Sequence, residues 1–237
     1  MYSPTFTDLL TVEGVEEMER KGYWIYYSTV IPNDLTRAVE DSVGRAELYR
    51  HTQGDYTQPE SAPVKYFDSA KRPHDVRELW RKFIQNGINL PILLLSQFET
   101  ANEDKLRRQG PIIVPLSGQG SPLGSPGSLL KSHPCLDGIS IWRPIGRDLG
   151  PENGLFKVYP GSQGITPEEA REAGIVAEEI RVRVDQVLVT KLVVEPVESG
   201  GGVVMWMGFS TELIGLHAAK DNLEFIAGAY YFDSLIG

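Results

Sequence analysis

The chain has 237 residues, of which 41% are hydrophobic, and this composition is typical of a globular domain. It carries 32 acidic and 23 basic residues, which gives a formal net charge of -9. This excess of negative charge argues against nucleic acid and anionic membrane surfaces as partners.

The single cysteine and the distribution of apolar residues bear on the location of the protein. Cys135 has no second cysteine with which to form an intrachain disulfide, which favours a reducing compartment. The acidic amino-terminal stretch has no apolar segment of the signal-peptide type. The most apolar run, 88–96, is about half the length needed to cross a bilayer. We therefore expect a cytoplasmic protein.

The first 110 residues are predicted to be mainly helical. A short helix that includes Val15 and Met18 is followed by Gly22, and the aromatic stretch 22–32 then predicts a strand. Asn33 or Asp34 is placed to cap a second helix, whereas 45–73 is polar and is interpreted as an exposed loop. Two further helices are predicted, one carrying Val76, Leu79, Trp80, Phe83 and Ile84 on one stripe and one spanning 91–109.

Beyond Pro111 the hydrophobic pattern changes to a period of two, which indicates strands. A Gly/Ser/Pro-rich loop at 118–128 interrupts it. In 180–184, Ile180, Val182 and Val184 are expected to face inward and the two arginines outward. The predicted strands are 111–117, 128–134, 138–145, 155–159, 180–184, 186–194, 201–207 and 224–232. Helices followed by strands predict an α+β domain with a β-sandwich or barrel core.

The segment GPENGLFKVYPGSQG (150–164) encloses one short strand between two turn-forming clusters. It resembles a signature of the phytanoyl-CoA dioxygenase-like branch of the Fe(II)/2-oxoglutarate oxygenases. The helix, strand and helix at 15–43 are similar to the opening of that family. The segment 200–222 is similar to its distal part, with His217 and Asn222 at matching spacing.

This resemblance covers almost the whole chain and implies a single domain, 1–237. Residues 1–110 would form helical support, and 111–237 would form a double-stranded β-helix, the jelly-roll or cupin-like core. In such folds the two turns hold a strand at the mouth of the barrel. The family's histidine after Pro-Gly-Ser is replaced by Gln163.

The resemblance also implies a metal site. A non-haem iron of this class needs two histidines and one carboxylate. His133 and His217 are the candidate imidazoles, and Asp137 is the candidate carboxylate. The family's His-x-Asp/Glu pattern is absent, because Cys135 occupies the carboxylate position. Asp137 therefore has two interpretations, a ligand delivered by a bent backbone or a residue of a hairpin turn with Gly138. The remaining histidines, His51 in a polar loop and His74 at a helix start, are expected to be solvent-facing or capping.

For 2-oxoglutarate, the family uses an arginine about ten residues after the distal histidine, and this chain has none there. The candidate cofactor-binding residues are Arg143, Lys220 and Asn222, although Lys220 is closer to His217 than the family's arginine. Arg143, like Lys157, also has a simpler interpretation as an outward, solvated charge. Four aromatic residues are candidates either for lining a cavity or for core packing: Trp142, Tyr159, Trp206 and Phe209.

Three functions follow from the resemblance. The first is an Fe(II)/2-oxoglutarate-dependent dioxygenase that modifies a small hydrophobic metabolite in secondary metabolism. The second keeps the pocket without the iron chemistry, as an isomerase or cyclase that uses His133, Asp137 or His217 as acid or base. The third is a catalytically silent subunit of an active homologue. A small-molecule substrate and a homodimer, or a heterodimer with a homologue, are the expected partners.

Overall fold

The computed structural model describes residues 12–28, 30–45, 74–100, 102–103, 106–115, 138–150, 153, 156–165, 167–191, 195–196 and 202–210. These ranges contain five α-helices: α1 (Val12–Lys21), α2 (Asn33–Arg45), α3 (His74–Gln85), α4 (Leu90–Phe98) and α5 (Pro167–Glu172). They contain eight strands: β1 (Tyr23–Tyr27), β2 (Arg107–Pro115), β3 (Gly138–Pro144), β4 (Phe156–Val158), β5 (Glu178–Ile180), β6 (Gln186–Thr190), β7 (Glu195–Pro196) and β8 (Val203–Ser210). No helix in these ranges is long and apolar enough to span a membrane.

The strands form two antiparallel sheets. The larger sheet has the order β1-β6-β3-β8-β2, and the smaller has the order β5-β4-β7. A buried cluster of seven apolar residues contains members of both sheets and is called the intersheet cluster here: Trp142, Leu149, Val158, Ile180, Val182, Leu188 and Val204. The predicted α+β class with a double-stranded β-helix core is confirmed.

Helices cover the opposite face of the larger sheet. The buried side of α3, formed by Trp80, Phe83 and Ile84, packs in one cluster with Ile141 of β3 and Met207 of β8. This helix-facing cluster continues into α1, α2 and α4 through Met18, Val39, Leu90, Leu93 and Leu94. The apolar stripe predicted for α3 is thus the stripe that the structure buries, as expected for an amphipathic helix.

Two glycines end the helices that the sequence predicted. Gly22 follows α1 with φ +79°, and its N–H donates to the carbonyl of Met18. Gly87 follows α3 with φ +72°. Both backbones lie in the left-handed region that glycine adopts without steric cost, which confirms these two helix ends.

The helix predicted over 91–109 is wrong in its second half. α4 ends at Phe98, because Glu99 adopts a left-handed conformation with φ +55° and donates its N–H back to Leu95. Residues from Arg107 onward instead pair with β8. Only the apolar first turns pack on the core, and the pairing with β8 overrides the helical preference of the polar residues that follow.

The inward alternation predicted for 180–184 holds for two of its three residues. Ile180 and Val182 are buried, whereas Val184 is 38% exposed. Its N–H donates to Asp148 Oδ1 at 2.8 Å, at a turn that precedes β6. The chain thus leaves the strand before the third inward position. The strands predicted at 128–134 and 224–232 lie outside the described residues, as does most of the loop predicted at 45–73.

The two turns around β4 hold the fold together through their own polar groups. The Asn153 side chain accepts from Gly150 N–H at 2.7 Å and donates to the Asp148 carbonyl at 2.6 Å. Its backbone carbonyl accepts from Gly202 N–H at 2.7 Å, which connects this turn to the residue before β8. Asn153 is therefore a structural residue.

The second turn, which follows β4, hydrogen-bonds to backbone carbonyls at the carboxyl end of α1. Gly161 N–H donates to the Lys21 carbonyl at 3.0 Å, and Gln163 Nε2 donates to the Glu19 carbonyl at 2.9 Å. Carbonyls in the last turn of a helix have no partner within the helix. Gln163 thus has a structural contact here.

Tyr23 connects the two sheets at one edge. Its ring packs against the intersheet cluster, and its hydroxyl donates to Glu178 Oε2 of β5. Burial, together with the Glu178 carboxylate, raises the pKa of the Tyr23 hydroxyl. The link therefore depends on a tyrosine that stays protonated in the folded state.

The first prediction concerns Asn153. The variant Asn153→Ala leaves Gly150 N–H and the Asp148 carbonyl without these partners in a buried turn, so we expect the free energy of unfolding to fall by about 2 kcal/mol. Chemical denaturation followed by circular dichroism measures it. Gln163→Ala, which removes a more exposed hydrogen bond, should cost less than half as much. Equal losses for the two variants would contradict this role for Asn153.

The second prediction concerns alkaline pH. Because folding raises the pKa of Tyr23, its contribution to stability is fully present below the unfolded value of about 10 and is lost as the pH rises towards the folded value. The stability difference between wild type and Tyr23→Phe should be constant below about pH 10 and should shrink above it. Tyr27→Phe, on the same strand, is the control. A difference that does not change with pH would refute the link.

Candidate functional site

The inner face is defined here as the face of the larger sheet that is directed towards the smaller sheet. The size of its side chains changes along the strands. Trp142 pairs in register with Trp206 and with Leu188. Two residues along the strand, Ser140 pairs with Gly208 and with Thr190. At the end of the sheet Gly138 pairs with Ser210. Paired residues share a face in an antiparallel sheet. The side chains of the inner face therefore become smaller along the strands, from two indoles to glycine and hydroxyl side chains.

The two tryptophans of the inner face differ in their environment. Their ring centroids lie 6.1 Å apart, and the ring planes are tilted by 53°. Trp142 is 1% exposed, and its Nε1 donates to Thr190 Oγ1 at 3.1 Å. Trp206 is only partly buried as a residue, yet its Nε1 atom is buried without a hydrogen-bond partner among the described residues.

The end of the sheet with small residues is also where the predicted metal ligands connect. His133, Asp137 and His217 lie outside the described residues, as do His51, Lys220 and Asn222. Asp137 immediately precedes β3, and His217 follows β8 by seven residues. Because Gly138 pairs with Ser210, the described residues that adjoin these two segments are neighbours. Seven residues span at most roughly 25 Å, so chain length allows the ligands to meet.

Within the described ranges, no group of three or more His, Cys, Asp or Glu residues could hold a metal ion. His74 is the first residue of α3 and is exposed, as expected for a solvent-facing histidine. The candidate metal set of His133, Asp137 and His217 therefore stays a prediction.

Arg143 is directed towards helix α3, a position that the sequence analysis did not predict. It is 0% exposed, so the expectation of an outward, solvated charge is wrong. Its guanidinium donates to the carbonyls of Phe83, at 3.2 Å, and Asn86, and to Ser28 Oγ at 3.0 Å. The group also lies over the Phe83 ring, 5.6 Å from its centroid. It points towards α3, away from the inner face, which does not support the cosubstrate role suggested for it.

Lys157 behaves as an outer-face residue. Its neighbour Val158 is fully buried in the intersheet cluster, and successive residues of a strand point to opposite faces. Lys157 pairs in register with Glu179 of β5. Its charge is therefore directed away from the space between the sheets.

Two of the four aromatic candidates lie on the inner face. These are Trp142 and Trp206. Phe209 belongs to the helix-facing cluster, so core packing is the one of its two interpretations that the structure supports. Tyr159 is buried outside both clusters, and its hydroxyl accepts from Arg171 Nη1 at 3.0 Å.

The sequence analysis did not predict the position of Arg107, which lies on a strand and not on a helix. Arg107 pairs in register with Ser210, which places it on β2 at the end of the sheet where β8 finishes. The sequence pattern predicts Arg107 at the solvated end of the helix over 91–109. The signal that could have found it is the row of β-compatible residues from 111 onward, which the structure extends back to Arg107.

Comparisons with known proteins agree on the fold. No protein-family model matches the chain, and no curated protein sequence matches it. Several solved structures do match the chain. The non-haem α-ketoglutarate-dependent epimerase SnoN from nogalamycin biosynthesis is 12% identical with a TM-score of 0.54, and the match covers 89% of this chain and 91% of that chain.

Two further neighbours have similar coverage. HygX from Streptomyces hygroscopicus, solved with nickel, 2-oxoglutarate and hygromycin B, is 14% identical with a TM-score of 0.53, covering 85% of this chain and 87% of its own. The non-haem α-ketoglutarate-dependent carbocyclase SnoK, also from nogalamycin biosynthesis, is 15% identical with a TM-score of 0.52, covering 88% and 86%. The chain thus has the jelly-roll fold seen in these non-haem 2-oxoglutarate enzymes.

The third prediction tests Arg143. The variant Arg143→Met leaves buried carbonyls of Phe83 and Asn86 without this donor, so we expect the free energy of unfolding to fall by about 3 kcal/mol. Arg181→Met, which changes an exposed arginine, should alter it by less than about 0.5 kcal/mol. Denaturant unfolding measures both. A stable Arg143→Met protein that has lost only 2-oxoglutarate affinity would show instead that the guanidinium serves the cosubstrate.

Proposed function

We propose that the protein is a non-haem Fe(II)/2-oxoglutarate-dependent oxygenase that modifies a small, largely hydrophobic molecule of secondary metabolism. The observation that carries this proposal is the register between β3 and β8, because it pairs Gly138 with Ser210, the described residues that adjoin the two segments with the predicted ligands. The fold is that of enzymes whose own descriptions include bound 2-oxoglutarate and nogalamycin biosynthesis.

In this proposal His133, His217 and Asp137 hold Fe(II). Two imidazoles and a carboxylate form the donor set that suits non-haem iron and leaves positions open for other ligands. When bound, iron and 2-oxoglutarate would, with dioxygen as the oxidant, supply the chemistry that activates a C–H bond. The protein's part in this proposal is to hold the small molecule against the inner face, at the end where Gly138, Ser140, Gly208 and Ser210 have small side chains.

The phytanoyl-CoA dioxygenase-like branch remains the finer assignment that we propose. It is supported by the PENG and PGS turns around β4, whose Asn153 and Gly161 contacts hold the strand as that resemblance implies. The reaction outcome need not be hydroxylation, since the structural neighbours include an epimerase and a carbocyclase. We place the protein in the cytoplasm with a small-molecule substrate.

The fourth prediction is a spectroscopic test. Anaerobic protein with Fe(II) and 2-oxoglutarate should show the weak visible absorption band that this metal–cosubstrate pair produces. His217→Ala and His133→Ala should abolish the band, whereas His74→Ala, which changes an exposed histidine of α3, should retain it. Asp137→Asn distinguishes the two interpretations of that residue, because loss of the band assigns it to the metal and retention assigns it to the turn.

A wild-type protein that shows no band at saturating iron and 2-oxoglutarate would contradict the proposal. The alternative functions then separate by two measurements. Anaerobic turnover of a small molecule without iron would indicate an isomerase or cyclase. Persistent co-purification with a homologue, without turnover by the isolated protein, would indicate a silent subunit.

A further inference from the structure

Strand β1 forms one edge of the larger sheet, and every second residue directs its backbone groups away from that sheet. At one end of the ladder with β6, Ser28 N–H donates to the Asp185 carbonyl, and at the other end Lys191 N–H donates to the Gly22 carbonyl. Backbone bonding to a neighbour alternates along an antiparallel strand. The residues with even numbers therefore bond to β6, and those with odd numbers face outward.

The open edge is defined here as the backbone N–H and C=O groups of Tyr23, Ile25 and Tyr27. In the part of the chain that the structure describes, these groups have no hydrogen-bond partner. Buried backbone groups are almost always paired, so unpaired groups on an edge strand indicate contact with solvent. Tyr27 is 57% exposed, and the other two residues are partly exposed, in agreement with an accessible edge.

The other sheet edges in the described ranges carry features that oppose pairing with another chain. β2, at the far edge of the larger sheet, contains two arginines, Pro111 and Pro115, and its register shifts between Gln109 and Ile112. β5 and β7, at the edges of the smaller sheet, have three and two residues and contain glutamates. Charges, prolines, bulges and short strands all protect sheet edges. β1, with the sequence YWIYY, has no charge, proline or bulge.

We propose that the open edge pairs with the open edge of a second copy of this chain, antiparallel and with twofold symmetry. The axis passes beside Ile25, which lies opposite its own counterpart, and Tyr23 lies opposite Tyr27 of the second copy. Aromatic and β-branched side chains stabilise antiparallel strands when they face each other in this way. Because each copy uses the same surface, the contact closes at a dimer.

Charged groups near the two ends of β1 are complementary in this arrangement. The Tyr23 hydroxyl donates to Glu178 of β5, and the Arg183 guanidinium lies 5.7 Å from the centroid of the Tyr27 ring. Since Tyr23 of one copy faces Tyr27 of the other, Glu178 of one copy approaches Arg183 of the other, and symmetry repeats this contact. The two attractions offset part of the repulsion between chains that each carry a net charge of -9.

The neighbouring charged groups already have partners within their own chain. The Lys21 amine lies 5.8 Å from the centroid of the Tyr23 ring and 2.9 Å from Glu17 Oε2. Arg183 donates to Asp185 Oδ2 at 2.6 Å, and a guanidinium has further N–H groups for a second carboxylate. These ion pairs reduce the repulsion between Lys21 of one copy and Arg183 of the other.

The proposed contact is small. Three outward-facing residues from each copy form about six backbone hydrogen bonds across the axis. An interface built on one short strand is smaller than that of a permanent dimer, so we expect a dissociation constant in the micromolar range. The protein is then a monomer when dilute and a dimer when concentrated.

Sedimentation equilibrium over a range of protein concentrations measures this dissociation constant. Tyr27→Lys places a charge on the open edge and should raise the constant at least about tenfold. Leu95→Lys adds the same charge at a position of α4 that is 53% exposed, and it should change the constant by less than about twofold. A wild-type protein that stays monomeric into the millimolar range, or an equal effect of the two variants, would overturn the inference.

Amide hydrogen exchange locates the contact without any variant. In concentrated protein the amides of Tyr23, Ile25 and Tyr27 should exchange more slowly than in dilute protein. The amides of Trp24 and Tyr26, which bond to β6, should be equally protected at both concentrations. A dimer whose open-edge amides exchange as fast as those of the monomer uses another surface, and open-edge amides protected in the monomer are covered by the chain itself. Either result contradicts the proposed pairing.

Discussion

The antiparallel register between β3 and β8 is the constraint on which the rest of the molecule depends. It runs without interruption from Gly138–Ser210 to Pro144–Val204. Since side chains alternate along a strand, this register decides which residues face the helices and which face the second sheet. A slip of one residue would exchange Ile141 with Trp142 and would bury the wrong set on both faces. It also pairs Gly138 with Ser210, the described residues that adjoin the segments with the predicted metal ligands.

The helical layer is attached to this sheet by apolar packing and by one buried charge. Arg143 lies on the helix-facing side of β3 and donates to the carbonyls of Phe83 in α3 and Asn86 just after it, and to Ser28 after β1. A buried guanidinium is tolerated only when its donors find acceptors. The end of α3, the end of β1 and the middle of the sheet are therefore held at one point, which explains why an arginine survives in an otherwise apolar strand.

Much of this fold could be predicted from the sequence because local signals and tertiary contacts agree. The stripe of Trp80, Phe83 and Ile84 and the glycine at 22 specify helices and their ends at short range. The boundary between α4 and β2 could not be predicted in this way, because residues 99–109 are polar and compatible with a helix. Only the pairing of Arg107 and Arg108 with β8, about a hundred residues later in the chain, assigns them to a strand.

The candidate site was predicted less completely for a related reason. A charged residue in an alternating strand is normally assigned to solvent, so the sequence alone gave no indication that Arg143 would find acceptors on a distant helix. The aromatic residues were equally ambiguous, since Phe209 and Trp206 differ only in strand parity, and parity becomes known once the register is known. The orphan nitrogen of Trp206 is a property of three-dimensional packing and has no sequence signal.

The early position of α1 and β1 in the chain has a consequence for biosynthesis. β1 hydrogen-bonds to β6, and the last carbonyls of α1 are closed by the turn at Gly161 and Gln163. A nascent chain emerging from the ribosome must therefore wait for its distant partners before this amino-terminal unit becomes stable, and such long-range closure slows folding. Until β6 is made, the aromatic strand YWIYY lacks its hydrogen-bonded neighbour, and an unpaired strand edge is a site for unwanted association.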